Sequence, residues 1–229
     1  MEKNMRRTSF QKMVLFIFAI GLIPVMPAMG QLSLDLDIAS RYVWRGFDFG
    51  DSPSIQPELS YTIGGLEVGT WAAIATNGDP AGYEVDWFAS YTVETDAGDL
   101  GFMLTDYTFP VPGMGDYLSS DAHFVEAGVE YSGIGGTPFS LFGGMFIHGD
   151  DDNSVYLEMA YDAEPVGFFI GMTPGESAEY GTTGAEIINL GITTGKTVDI
   201  SEGLSVDLTY DVILNPHAED LFFLVTLSF

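Results

Sequence analysis

A chain of 229 residues with 46% hydrophobic and 14% aromatic content carries too much apolar surface to stay disordered. Its 28 glycines and only 17% charged residues favour short strands and tight turns over helices. Its 33 acids against seven bases give a formal charge of −26, which repels phosphate backbones and argues against nucleic acid as a partner. The same charge also suits solubility or a saline habitat that screens self-repulsion. With no cysteine there is no disulfide, thiolate metal site, lipoprotein anchor or thiol nucleophile.

The chain opens with a basic, polar start, Met1–Lys12, then the apolar run MVLFIFAIGLI over Met13–Ile23. That run has signal-peptide length and is too short to span a bilayer securely. Ala28-Met29-Gly30 places small residues where a signal peptidase reads, so cleavage is expected before Gln31; a membrane-anchoring helix is the alternative. Residues 1–30 are thus read as a signal peptide and 31–229 as the exported body. Removing four bases and one acid leaves that body at −29. Arg41, Arg45 and Lys196 are its only bases.

From Gln31 onward, period-two runs alternate with turn residues. The first strand is read over about Leu32–Gly46, with Asp35, Asp37, Ala39, Arg41, Val43 and Arg45 on one face and Leu34, Leu36, Ile38, Tyr42 and Trp44 on the other. Further strands are expected near Ile55–Ile63, Leu66–Thr76, Tyr83–Val93, Leu100–Phe109, His123–Tyr131, Phe139–Ile147, Ser154–Asp162, Val166–Thr173, Thr183–Thr194, Leu204–Leu214 and Ala218–Phe229. Lys196–Gly203 reads as a turn with extensions. Pro110–Asp121 is the longest loop, and Asp150-Asp151-Asp152-Asn153 makes an acidic tip. The total is twelve strands, with short and longer links in alternation.

A soluble secreted β-sandwich would also alternate, with its apolar face inside. Three features favour a transmembrane antiparallel β-barrel. Aromatics stand near the ends of the apolar faces (Tyr42, Trp44, Tyr61, Tyr83, Tyr91, Tyr131, Tyr161, Tyr210), as interfacial girdles do. The opposite faces mix carboxylates with Gly, Ser and Thr. The chain ends on Leu221, Phe223, Val225, Leu227 and Phe229 in strict alternation, which resembles the terminal signal read by the outer-membrane barrel assembly machinery. Lipid demands that every backbone polar group be paired internally, and a closed barrel meets that demand. An even strand count puts both termini on the periplasmic side, with the short turns there and the longer loops outside.

The segment Ser40-Arg41-Tyr42-Val43-Trp44-Arg45-Gly46-Phe47, followed by Pro53, Ile55-Gln56 and Leu59-Ser60-Tyr61, resembles the opening of the TorF family of porin-like proteins, also called the Gcw_chp family. The likeness is specific over about residues 33–61 and general beyond. It implies a barrel in the outer membrane of a Gram-negative bacterium and a pore, with no established substrate.

By alternation Asp35, Asp37, Glu58, Glu84, Asp86, Glu126, Glu130, Glu158, Asp162, Asp207 and Asp211 face inward. Arg41 and Arg45 are expected among them as the hub of a salt-bridge network, since one guanidinium can bridge several carboxylates. The alternative makes the two arginines a constriction that grips an anionic solute. No enzyme is expected, because His123, His148 and His217 lie in no nucleophile motif. No cofactor is implied. Asp150, Asp151 and Asp152 offer oxygens to a hard cation but lack the spacing of a dedicated loop, so no metal site is assigned. The expected function is a small passive pore for small solutes or ions, cation-preferring, with outer-membrane lipid around it. The competing expectation is a structural or adhesive barrel plugged by its own side chains, among them Phe88, Phe142, Phe146 and Phe169.

Overall fold

Period-two alternation needs two different surroundings for its two faces, and a closed sheet supplies them. The computed structural model describes residues 30–110, 119 and 122–229. The signal-peptide reading and most of the Pro110–Asp121 loop lie outside the described residues. Twelve antiparallel strands close into one barrel. In chain order they are β1 (Gln31–Ala39), β4 (Ser54–Ile63), β5 (Leu66–Ala75), β6 (Tyr83–Val93), β7 (Asp99–Thr108), β8 (His123–Ser132), β9 (Phe139–His148), β10 (Val155–Ala163), β11 (Val166–Thr173), β14 (Glu186–Ser201), β15 (Leu204–Asn215) and β16 (Asp220–Ser228). Two short hairpins complete the set: β2 (Tyr42–Trp44) with β3 (Phe47–Phe49), and β12 (Glu176–Ser177) with β13 (Thr182–Thr183).

Each barrel strand pairs with its sequence neighbour, and β1 closes the ring by bonding both β4 and β16. Ala39 stands opposite Ser54 on one side and Thr226 on the other. The links β4–β5, β6–β7, β8–β9, β10–β11 and β14–β15 cluster at the end where β1 begins, here the turn end. Both short hairpins belong to links at the opposite, loop end. Closure leaves no unpaired sheet edge.

The outward face is apolar. Leu34 is 75% exposed and Phe223 70%, with Leu32, Trp87, Phe102, Leu141, Met159 and Phe168 also on the surface. The inward face carries acids, small residues and aromatics. Several inward rings fill the space over an inward glycine: Phe88 over Gly69, Phe142 over Gly128 and Gly144, Tyr156 over Gly171, and Phe169 over Gly191. The missing side chains let the rings lie flat against the wall, as in designed barrels where an aromatic covers a strand glycine.

Two elements depart from the pattern read in the sequence. The first barrel strand stops at Ala39 rather than Gly46. Arg45 and Gly46 take φ of +50° and +85°, so they make a two-residue reversal and Phe47–Phe49 returns along Tyr42–Trp44. Tyr42 and Trp44 are therefore inside the barrel and not girdle residues on its surface. The second departure is β14, which runs to Ser201 and pairs with β15 from Leu190 onward, with one irregularity between Asp199 and Ser201. Lys196–Gly203 is thus mostly strand, because Thr197 and Val198 are good strand formers that continue the ladder.

Candidate functional site in the barrel interior

The β2–β3 hairpin folds back from the end of β1 into the loop end of the lumen. Its reversal places a glycine where a side chain has no room: a Cβ at Gly46 would run into the Ile188 carbonyl oxygen on β14. Asn215 of β15 fixes the same spot, its Nδ2 donating to the Gly46 carbonyl at 3.2 Å. At the hairpin base Gly50 lies against Gly82, and Asn77 Nδ2 donates to the Gly50 carbonyl at 2.9 Å. Backbone contacts of this closeness explain why glycine stands at both places.

This geometry delivers Arg45 into the interior. Its guanidinium donates to both Glu126 oxygens, at 2.7 and 2.8 Å, and to the Tyr180 hydroxyl at 2.6 Å. The rings of Trp44 and Tyr156 stand 4.4 and 4.2 Å from its central carbon, with Phe142 at 5.5 Å. Tyr107 donates to Glu126 at 2.9 Å, completing the carboxylate's partners. Burial opposes the charge on Arg45, yet Glu126 outweighs it and leaves the guanidinium more firmly protonated than usual. Burial also pushes the Tyr180 phenol upward, so it stays neutral beside the arginine. Tyr156, Tyr180 and Ile188 form the packed centre, with Trp44, Phe47 and Phe142 against it.

Arg41, only four residues away, is elsewhere. It pairs with Asp48 at 3.2 Å and with Asp51 at the hairpin base, and its side chain is 34% exposed. Burial holds the Asp48 carboxyl above its ordinary value despite Arg41. A hub of two arginines among the inward carboxylates is therefore not what forms. Among the described residues, the ion pairs are Arg41 with Asp48 and Asp51, Arg45 with Glu126, and His123 with Asp106.

The other inward acids divide into two groups. Glu158 on β10 accepts from Tyr156 and from Asn189 Nδ2, the latter at 3.2 Å. Across the lumen, Asp35 and Asp37 on β1, Glu58 on β4, and Glu84 and Asp86 on β6 make an acidic wall. Asp35 is directly opposite Glu58, and the Glu84 and Asp86 carboxyls lie against each other. Tyr42 of the hairpin donates to Glu84 at 2.7 Å. Glu130, Asp162, Asp207 and Asp211, on β8, β10 and β15, join neither group, and Asp162 and Asp207 are exposed.

At the loop end, Asp152 accepts from Ser154 Oγ and from the Ala178 backbone, both at 2.8 Å, and so ties the β9–β10 loop to the β12–β13 hairpin. Asp150 accepts from the Ser154 amide. Among the described residues no three acidic or histidine side chains are grouped to hold a metal. The terminal alternation places Leu221, Phe223, Val225 and Phe229 on the outer surface, with Leu227 less exposed.

The sequence did not reveal Tyr156 and Tyr180 as partners of Arg45, or Tyr107 as a partner of Glu126. The available signal was the symmetry of Tyr42-Val43-Trp44 and Phe47-Asp48-Phe49 about Arg45-Gly46, which reads as a two-residue hairpin rather than one strand.

Fold and interior together define a closed twelve-stranded β-barrel with an arginine-centred internal plug. The chain belongs to the Gcw_chp family, described as bacterial proteins of unknown function, whose family model matches residues 27–210. No curated protein matches it. One solved structure, described as "Unveiling the Mechanism Behind the in-meso Crystallization of Membrane Proteins", is similar over 86% of this chain and 82% of its own, at 11% identity and a TM-score of 0.48.

Proposed function

We propose that the protein is an outer-membrane β-barrel acting as a narrow, cation-preferring pore of the porin type, without a chemical step, and that the β2–β3 hairpin sets its bore. The apolar outer surface supports a lipid surrounding, since side chains such as Leu34 and Phe223 gain nothing from facing water. Eleven of the twelve barrel strands have nine or more residues, long enough to cross a hydrocarbon layer when tilted.

The observation that carries the pore reading is a pair of cavities along the acidic wall that the plug leaves unfilled. One, about 70 Å³, lies at the loop end among Tyr42, Trp44, Phe49, Glu84, Tyr107 and Glu179. The other, about 310 Å³, lies toward the turn end beside Glu58, Glu67 and Asp86. Glu84 borders the first and Asp86 the second. Carboxylates bordering both cavities favour cations and repel anions.

A second reading, a fully plugged structural barrel, draws on the packing of Tyr156, Tyr180, Phe146 and Ile188, each 2% exposed or less. Single-channel recording of the purified protein in planar bilayers under a salt gradient separates the two. Small steps with a reversal potential of cationic sign support the pore. A folded, inserted barrel that stays silent, or one that prefers anions, sinks it.

A further inference from the structure

The larger interior cavity has an unusual lining. Glu58 on β4, Glu67 on β5 and Asp86 on β6 border a space of about 310 Å³, and Trp71, Phe88 and Met103 supply the apolar part of its wall. Strand register assembles them: Trp71 is paired with Glu58 on one side and Asp86 on the other. Glu67 lies on the same inward face four residues nearer the turn end. Phe88 keeps its position by lying over Gly69.

Asp86 is only 6% exposed, and its Oδ1 has no hydrogen-bond partner among the described residues. A buried carboxylate oxygen without a donor is costly. The basic side chains of the hairpin region are committed elsewhere, Arg45 to Glu126 and Arg41 to Asp48 and Asp51. A bound cation with an N–H group can supply the donor that Asp86 Oδ1 lacks.

The lining also indicates which kind of cation. A hard divalent ion wants a close shell of six or more oxygens. No such grouping of acidic or histidine side chains occurs among the described residues, and half of this wall is apolar. An alkylammonium matches both halves. Its N–H groups satisfy carboxylates, and its polarised methylenes and charge favour aromatic faces such as Trp71 and Phe88. With three carboxylates on the cavity, two ammonium groups are better matched than one.

We propose that this cavity binds small organic ammonium ions, short aliphatic diamines above all, with Asp86 and Glu58 accepting their hydrogen bonds and Trp71 covering the methylenes. The inference deepens the cation-pore reading by naming a class of cation, and it rests on that reading for the ligand's route to the site.

Calorimetric titration of 1,4-diaminobutane into the detergent-purified protein at fixed ionic strength tests it. Saturable binding is expected, absent for 1,4-butanediol and for potassium. Asp86→Asn and Trp71→Leu should each weaken it about tenfold, in line with the loss of one charged or one cation–π partner; Arg41→Ala should leave it unchanged. If Asp86→Asn fails to give the heat-modified gel shift of a folded barrel, Glu67→Gln decides in its place. No saturable heat, equal competition by potassium, or affinity indifferent to the Asp86 and Trp71 changes would overturn the site. The pore and the site fail separately. A barrel that binds the diamine but passes no current keeps the site, while one that conducts potassium and ignores the diamine keeps only the pore.

Discussion

The two walls of the barrel interior both carry acids, but only one of them meets its acids with a base. On the wall built from β8 to β11, Glu126 receives two bonds from Arg45 and one from Tyr107, and Glu158 receives Tyr156 and Asn189. On the wall built from β1 and β4 to β6, carboxylate faces carboxylate, as Asp35 does Glu58, and the hairpin offers only the Tyr42 hydroxyl to Glu84. The first arrangement is dense with rings, and both of its central carboxylates accept hydrogen bonds. Among the described residues the second has no base within reach, and it lies beside open volume.

The contrast can be broken most sharply at Arg45. Arg45→Ala leaves the Glu126 carboxylate buried without its counter-charge, and the expected loss of stability is about 3–5 kcal/mol, read from denaturant unfolding of the detergent-solubilised barrel. Arg45→Lys should recover only a minor part, because an ammonium can neither fork onto both carboxylate oxygens nor stack between Trp44 and Tyr156. A lysine variant as stable as the parent would mean that charge alone, and not planar geometry, holds the plug.

A smaller effect is expected from Gly46→Val. Its side chain collides with the Ile188 carbonyl and forces the hairpin off β14, at a cost of about 1–3 kcal/mol. The barrel strands should stay paired while the plug loosens, so conductance should rise above that of the parent. Unchanged conductance in a folded variant would show that the hairpin does not set the bore.

Smaller still, Arg41→Ala should cost less than about 1 kcal/mol, because its ion pairs are partly solvated and screened. Comparing it with Arg45→Ala in the same titration tests whether two arginines four residues apart have separate roles. The least effect concerns pH. Burial raises the Asp48 carboxyl above its ordinary value of 3.8, so the folded hairpin holds that proton more tightly than the unfolded chain does. Stability from this residue is greatest below the ordinary value and declines as pH rises through the raised one. Asp48→Asn should remove that decline. An unaltered pH profile of unfolding as pH rises from the ordinary value of 3.8 would remove Asp48 from the account.

The barrel class and most strand positions were legible in the sequence because alternation is a local property: each residue's face follows from its neighbours once the strand is recognised. The inward placement of Phe88, Phe142 and Phe169 came the same way, as did that of Glu126 and Asp86. Which acids would meet a base was not legible. Arg41 and Arg45 share a face only if the chain continues straight, and the positive φ at Arg45 and Gly46 ends that continuity.

By itself, the sequence determined an all-β chain with one apolar and one acidic face per strand, and too few bases to neutralise the acidic one. Tertiary structure alone decided that one of those bases is carried on a hairpin to the far wall, across 81 residues of chain, to meet Glu126. The reason is that a reversal of two residues is cheap in backbone terms, whereas its destination depends on a carbonyl of β14 and an asparagine of β15 that the hairpin reaches only when β1 pairs with β16 and the ring closes.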